Sequence, residues 1–185
     1  MRKTVNQFLF ILSLFVFYSC NKTAPKECFE KADSLKQQLD LSYKEFKSIP
    51  FEEYEKIQKE VKKTNKNFKT HIFNIEDQAF KTTFSQFTNI EKEYKRIFQR
   101  YKNIEDEYKN SMRQIENLKE DLKSGALYEK DKIEIYLQQE KVAIQYLTQT
   151  MKDLFLDAEK QKANFVQSKD AVEKFAEDLS KKSKK

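Results

Sequence analysis

Phe80, Phe87, Tyr94, Tyr101, Tyr108, Ile115 and Leu122 follow one another at intervals of seven, and Ile90, Ile97, Ile104 and Leu118 stand three places after their partners. A repeat sustained this long keeps one apolar seam along a supercoiled helix and is incompatible with a strand, whose side chains alternate every two residues. A second series runs Leu137, Ile144, Met151, Ala158, Phe165, Val172 and Leu179. Between the two lies Gly125, the single glycine of 185 residues, where a helix C-cap favours that residue. Two long stripes around one glycine predict an antiparallel hairpin. The aromatic rings on the repeat need more room than the Ile and Leu of a tight two-helix seam. They predict three or four helices packed together over part of the length.

The residues that strands and tight turns require are withheld: the chain has one Gly, two Pro and no Trp. Charged residues make up 36%, yet the apolar ones recur with helical period, which sets the chain apart from disordered sequences. The fold class is therefore all-α. Upstream of the long hairpin, Cys28, Ala32, Leu35, Leu39, Phe46 and Ile49 keep helical spacing, predicting a helix from about Glu27 to Lys47. Ser48 then precedes Pro50, with Glu52 and Glu53 in the next first turn, a stop and restart suited to proline and to acids at a helix start. Tyr54, Val61, Phe68 and Ile75 continue at sevens. A fold-back about Pro50 gives an additional N-terminal helical hairpin, and the whole an elongated three- to four-helix bundle.

Between Ile75 and Phe80 the heptad phase shifts, and Asn74 with Asp77 offers a cap for a new helix; a stutter in a continuous helix is the alternative. Two arrangements stay open. One is a straight rod of two end-to-end hairpins on the order of 110 Å long. The other bends near Thr70 and stacks the first hairpin on the second.

The amino terminus carries a different signal. Arg2 and Lys3 precede the apolar run "FLFILSLFVFYSC" at 8–20, which is too short to span a bilayer and has the proportions of a secretory signal. Phe17-Tyr18-Ser19-Cys20 resembles the bacterial lipobox; Ser19 and Cys20 match it, and Phe17 and Tyr18 replace its usual Leu and small residue. The resemblance covers the first 20 residues. It implies that 1–19 are removed and that Cys20 becomes the mature first residue, carrying diacylglycerol on sulfur and an acyl chain, such as palmitate, on its amine. Several chains together make membrane attachment durable where one is marginal. In that family an Asp after the cysteine often retains the product in the inner membrane, so Asn21 implies the outer membrane, facing the periplasm. The expected organisation is a lipidated tether at 20–27, a helical bundle at 28–182 and a basic tail at 183–185.

Charge and cysteine usage narrow the partners. Loss of Arg2 and Lys3 lowers the formal net charge from +6 to +4, and Lys181, Lys182, Lys184 and Lys185 of "KKSKK" hold that many positive charges at one end. A basic face for phosphate backbones is missing, which argues against nucleic acid. With Cys20 acylated, Cys28 is unpaired. Its place in the apolar spacing reads as a small core residue, and an intermolecular disulfide in a homodimer is the sharper alternative.

Chemistry-bearing constellations are sparse. His71 is the sole histidine and has no second nitrogen or sulfur ligand near it in sequence, and the acids at Glu105–Glu107 lack calcium-loop spacing, so no metal or other cofactor is expected. Phosphate-cradling loops need glycines, and a nucleophile elbow is absent, so an enzyme is not expected. The ladder Tyr94, Tyr101 and Tyr108 reads as core packing with hydroxyls reaching the edge. Lys56, Lys59, Lys62, Lys63, Lys66 and Lys69 read as a solvated helix face, with anionic lipid or glycan contact as the alternative. The terminal lysines complement a helix end, with anionic envelope contact as the sharper reading.

In its layout the chain is similar to the small functionally unassigned helical envelope lipoproteins of diderm bacteria. The function that follows is a lipid-anchored, non-enzymatic spacer or scaffold for other envelope proteins. Three alternatives stand beside it: a periplasmic holdase with helical arms, surface display, and linkage to peptidoglycan. The last rests on resemblance to the small peptidoglycan-linked outer-membrane lipoproteins, in which the terminal lysine, here Lys185, is joined to the wall.

Overall fold

A computed structural model describes residues 24–68 and 77–182, with side chains through Asp178. Four helices follow in chain order: α1 (Lys26–Lys47), α2 (Phe51–Phe68), α3 (Gln78–Ser124) and α4 (Lys130–Lys182); no strand occurs among the described residues. The long hairpin is α3 and α4. Gly125 caps α3 in the left-handed region at φ 74°, where a side chain would crowd the following carbonyl. The Leu127 amide then donates back to the Asp121 carbonyl and closes the turn. Asp77 caps α3 at the other end, its side chain accepting from the Phe80 amide at 3.0 Å. Asn74, Ile75, His71 and the expected bend at Thr70 lie outside the described residues.

The heptad stripes are the core. Phe80, Phe87, Tyr94, Ile115 and Leu122 on α3 are buried against Leu137, Ile144, Met151, Ala158, Phe165 and Val172 on α4. Tyr101 and Tyr108 pack against that core while partly exposed. The side chain of Leu179 lies outside the described ones.

The expected N-terminal hairpin about Pro50 is not formed. α1 and α2 lie end to end in the groove of the α3–α4 hairpin, antiparallel to α3 and parallel to α4. The ion pairs give the register. Lys31 pairs with Glu134, and Asp33 with Lys119, near the Gly125 turn; Lys47 reaches Glu105 midway; Glu53 and Glu60 meet Lys162 and Lys169 further along. Phe68 then stacks on Phe175 and lies tilted against Phe80 and Phe84 at the far end.

The reason is local. A left-handed cap of the kind Gly125 supplies is one common route to reversal. Ser48 instead closes α1 in the right-handed region (φ −78°, ψ −8°), and no non-glycine residue among those described has positive φ. Pro50 removes one amide and kinks the path without turning it. The bundle is thus three helices thick along a hairpin arm of 53 residues, about 80 Å at 1.5 Å per residue. α2 and α3 are antiparallel. Neither the 110 Å rod nor a stacked pair of hairpins describes this arrangement.

Candidate interaction surface

α4 is apolar on two sides. Its inner stripe is buried in the core. Ile135, Val142 and Leu156, themselves on a seven-residue grid, point outward and are 56, 53 and 63% exposed, with Tyr146 beside them at 71%. Gln149 and Ala163 occupy the same grid and are also exposed. From Val142 to Met151 the sequence VAIQYLTQTM carries no charge, against 36% for the whole chain. Single exposed apolar residues are ordinary on a protein surface, whereas a periodic set on one helix face marks a place for another element.

A second apolar feature arises from the α1–α2 break. Where the helix stops at Ser48, the inner faces of Phe46, Ile49 and Pro50 part from Met151 and Phe155 of α4, leaving a cleft of about 330 Å³. Its rim is polar: Thr148 donates to the Ser42 hydroxyl at 3.2 Å, and Glu45 and Lys152 border the mouth. That volume is at the lower end for small-molecule sites.

The opposite side of the break is filled with rings. Tyr43 stacks on Tyr108 at 3.7 Å, Phe51 lies 4.1 Å from Tyr101, and Tyr54 stacks on Tyr94 at 5.8 Å. The Tyr101 and Tyr108 hydroxyls reach partners toward the edge, as the sequence predicts, whereas that of Tyr94 is bonded inside the core. Tyr94 donates to the Ala158 carbonyl, Tyr108 to Asp40, and Tyr101 accepts from Lys47 at 2.6 Å. Burial, and the bond to Asp40, push the Tyr108 hydroxyl up to about 12. Glu105 is held below the usual carboxylate range by the hydrogen bond from Lys47. In the acidic run at 105–107, Glu105 pairs with Lys47, the exposed Asp106 pairs with Lys109, and Glu107 is exposed.

Polar groups interrupt the inner stripe of α4 at Glu140 and at the buried Ser168. Glu140 occupies a seam position between Leu137 and Ile144, and its Oε2 is buried without a hydrogen-bond partner. Gln114, Asn117, Asp121 and Tyr136 line the same groove between α3 and α4. Desolvation raises its pKa. The seven-residue series through Leu137 and Ile144 did not single out Glu140; its place seven before the buried Leu147 and fourteen before Leu154 was the available signal.

The other predicted positions fall as follows. Cys20 lies outside the described residues. Cys28 is 2% exposed in the core beneath α4, with its thiol pKa raised by burial. This is the small-core reading, and a disulfide to another chain would require α1 to lift from the bundle. Ala24 is also buried, so the body begins inside the expected 20–27 tether. Lys181 and Lys182 end α4 at the pole opposite Lys26, and 183–185 lie outside the described residues. Lys56, Lys59, Lys62, Lys63 and Lys66 are exposed on α2, and Lys59 pairs with Glu55; Lys69 lies outside. Among the described residues no group of three or more His, Cys, Asp or Glu is placed to hold a metal ion, and no helix is long and apolar enough to cross a membrane. No family model, curated protein or solved structure matches this chain.

Proposed function

We propose that the chain is a lipid-anchored, non-enzymatic envelope protein that holds a rigid helical arm away from an outer-membrane leaflet and offers the outer face of α4 to another protein. The observation that carries the scaffold reading is the exposed heptad-spaced stripe of Ile135, Val142 and Leu156 beside Tyr146. The anchor rests on the resemblance of Phe17–Cys20 to the lipobox. Only residues 21–23 stand between Cys20 and the buried Ala24, at most about 14 Å of extended chain, so an acylated Cys20 brings the Lys26 pole of the bundle against the membrane.

Two measurements test this reading. Cys20→Ala should move the protein from the membrane to the soluble fraction, and mass spectrometry should find acyl mass on Cys20; retention of the variant, or a mature start elsewhere, would overturn the anchor. For the scaffold, a photo-reactive residue at Val142 should give discrete adducts in cells, and the same residue at exposed Lys63 should not.

A second reading, a holdase, is favoured by the cleft at the α1–α2 break, because an open apolar cavity beside an unpartnered face suits a loosely held apolar segment. It predicts suppression of client aggregation that is lost on Ile49→Glu. A protein inert in that assay leaves the scaffold alone.

A further inference from the structure

The outer stripe of α4 has the period of a coiled-coil seam but no mate in the bundle. A seven-residue grid fits a helix of the same supercoil, and a second copy of α4 supplies one. We infer that α4 pairs with α4 of a second copy, antiparallel and centred on Gln149. The inference rests on the scaffold reading in taking this face as the working surface.

Charge placement selects both the occupant and the direction. The centre of the face is neutral from Val142 to Met151, so two copies approach without repulsion. Beyond it, the exposed Lys152, Asp153 and Lys160 flank the stripe. A parallel pair sets each of these beside its own twin, which is unfavourable for all three. An antiparallel pair about Gln149 sets Asp153 beside the Tyr146 hydroxyl of the second copy, a donor to a carboxylate. It also sets Lys160 beside the Gln139 amide, whose oxygen accepts. Val142 then faces Leu156, and Ile135 faces the small Ala163, so large and small side chains meet.

The area fits a reversible contact. From Ile135 to Ala163 the face runs about 42 Å at 1.5 Å per residue. With a helix about 10 Å wide it covers on the order of 400 Å² per copy, below the usual ~800 Å² of a stable interface. The pair is therefore concentration-dependent, and confinement on a surface favours it.

Cysteine cross-linking of the full-length protein in its membrane tests both parts, with a short bis-maleimide and wild type, whose Cys28 is buried, as background. Gln149→Cys should give a cross-linked species of twice the mass. Val142→Cys and Leu156→Cys alone should not, since each twin pair is then about 21 Å apart along the axis. The two together should restore the product. Adding Tyr146→Glu to Gln149→Cys should reduce it about tenfold. Single variants that cross-link as well as Gln149→Cys would overturn the antiparallel direction. An adduct of Gln149→Cys with a different polypeptide would overturn the second copy while leaving the scaffold reading standing. Absence of any product would overturn the pairing.

Discussion

Ala158 is small because two tyrosines need the space. Tyr54 and Tyr94 stack in the core beside it, and the Tyr94 hydroxyl donates to its carbonyl. Ala158→Leu should therefore destabilise by about 1–3 kcal/mol in urea unfolding. Leu154 and Leu156 make the complementary pair: fully buried Leu154→Ala should cost about 3 kcal/mol, and exposed Leu156→Ala should leave unfolding nearly unchanged. Glu140 gives a pH signature. Its folded carboxyl binds a proton at higher pH than the unfolded one, so the penalty it imposes is fully present above the folded value and fades as pH falls toward the ordinary carboxylate range. Wild type compared with Glu140→Gln should show this group gaining stability on acidification, and Glu140→Leu should raise stability at pH 7 by about 1 kcal/mol. Equal pH slopes in wild type and Glu140→Gln would refute the assignment.

At the level of elements, the long hairpin was legible because two features agree: matched seven-residue stripes and one glycine where the chain must take positive φ. Gly125→Ala should cost about 1 kcal/mol, read as a lowered unfolding midpoint without loss of helix. The direction of the chain at Pro50 was not legible. Phe46 and Tyr54 are eight apart, whereas Leu39 to Phe46 and Tyr54 to Val61 are seven, so the core phase slips by one residue at the break. The sequence displays that slip plainly. A slip requires an interruption and says nothing of whether the chain reverses; the right-handed geometry of Ser48 and the ion pairs of Glu53 and Glu60 with Lys162 and Lys169 show that α2 continues along the groove. The cleft and the ring cluster flanking it are products of the same extra residue, and neither follows from periodicity alone. The outer stripe of α4 was present in the sequence too, but could not be told from core until the inner stripe was seen to be satisfied by α1, α2 and α3.

For the whole molecule, the register of the ion pairs assigns the poles. Lys26 and the Gly125 turn share one, and Phe68, Phe80 and the end of α4 share the other. If Cys20 fixes the first pole to a leaflet, Lys181 and Lys182 are carried about 80 Å from it when the arm stands upright. Replacing Lys181, Lys182, Lys184 and Lys185 with serine should therefore leave membrane fractionation unchanged. Release of that variant would mean that the lysines touch the same head groups as the anchor.

The placement of the two chain ends also decides how the arm answers a pull. Tension applied between the first helix and the last is carried lengthwise, because α1 and α2 run alongside α4 in the same direction from opposite attachment points. Such a joint resists by sliding, with every ring contact and ion pair from Lys31 to Phe68 sharing the strain at once, where a hairpin pulled from one pole would unzip one layer after another.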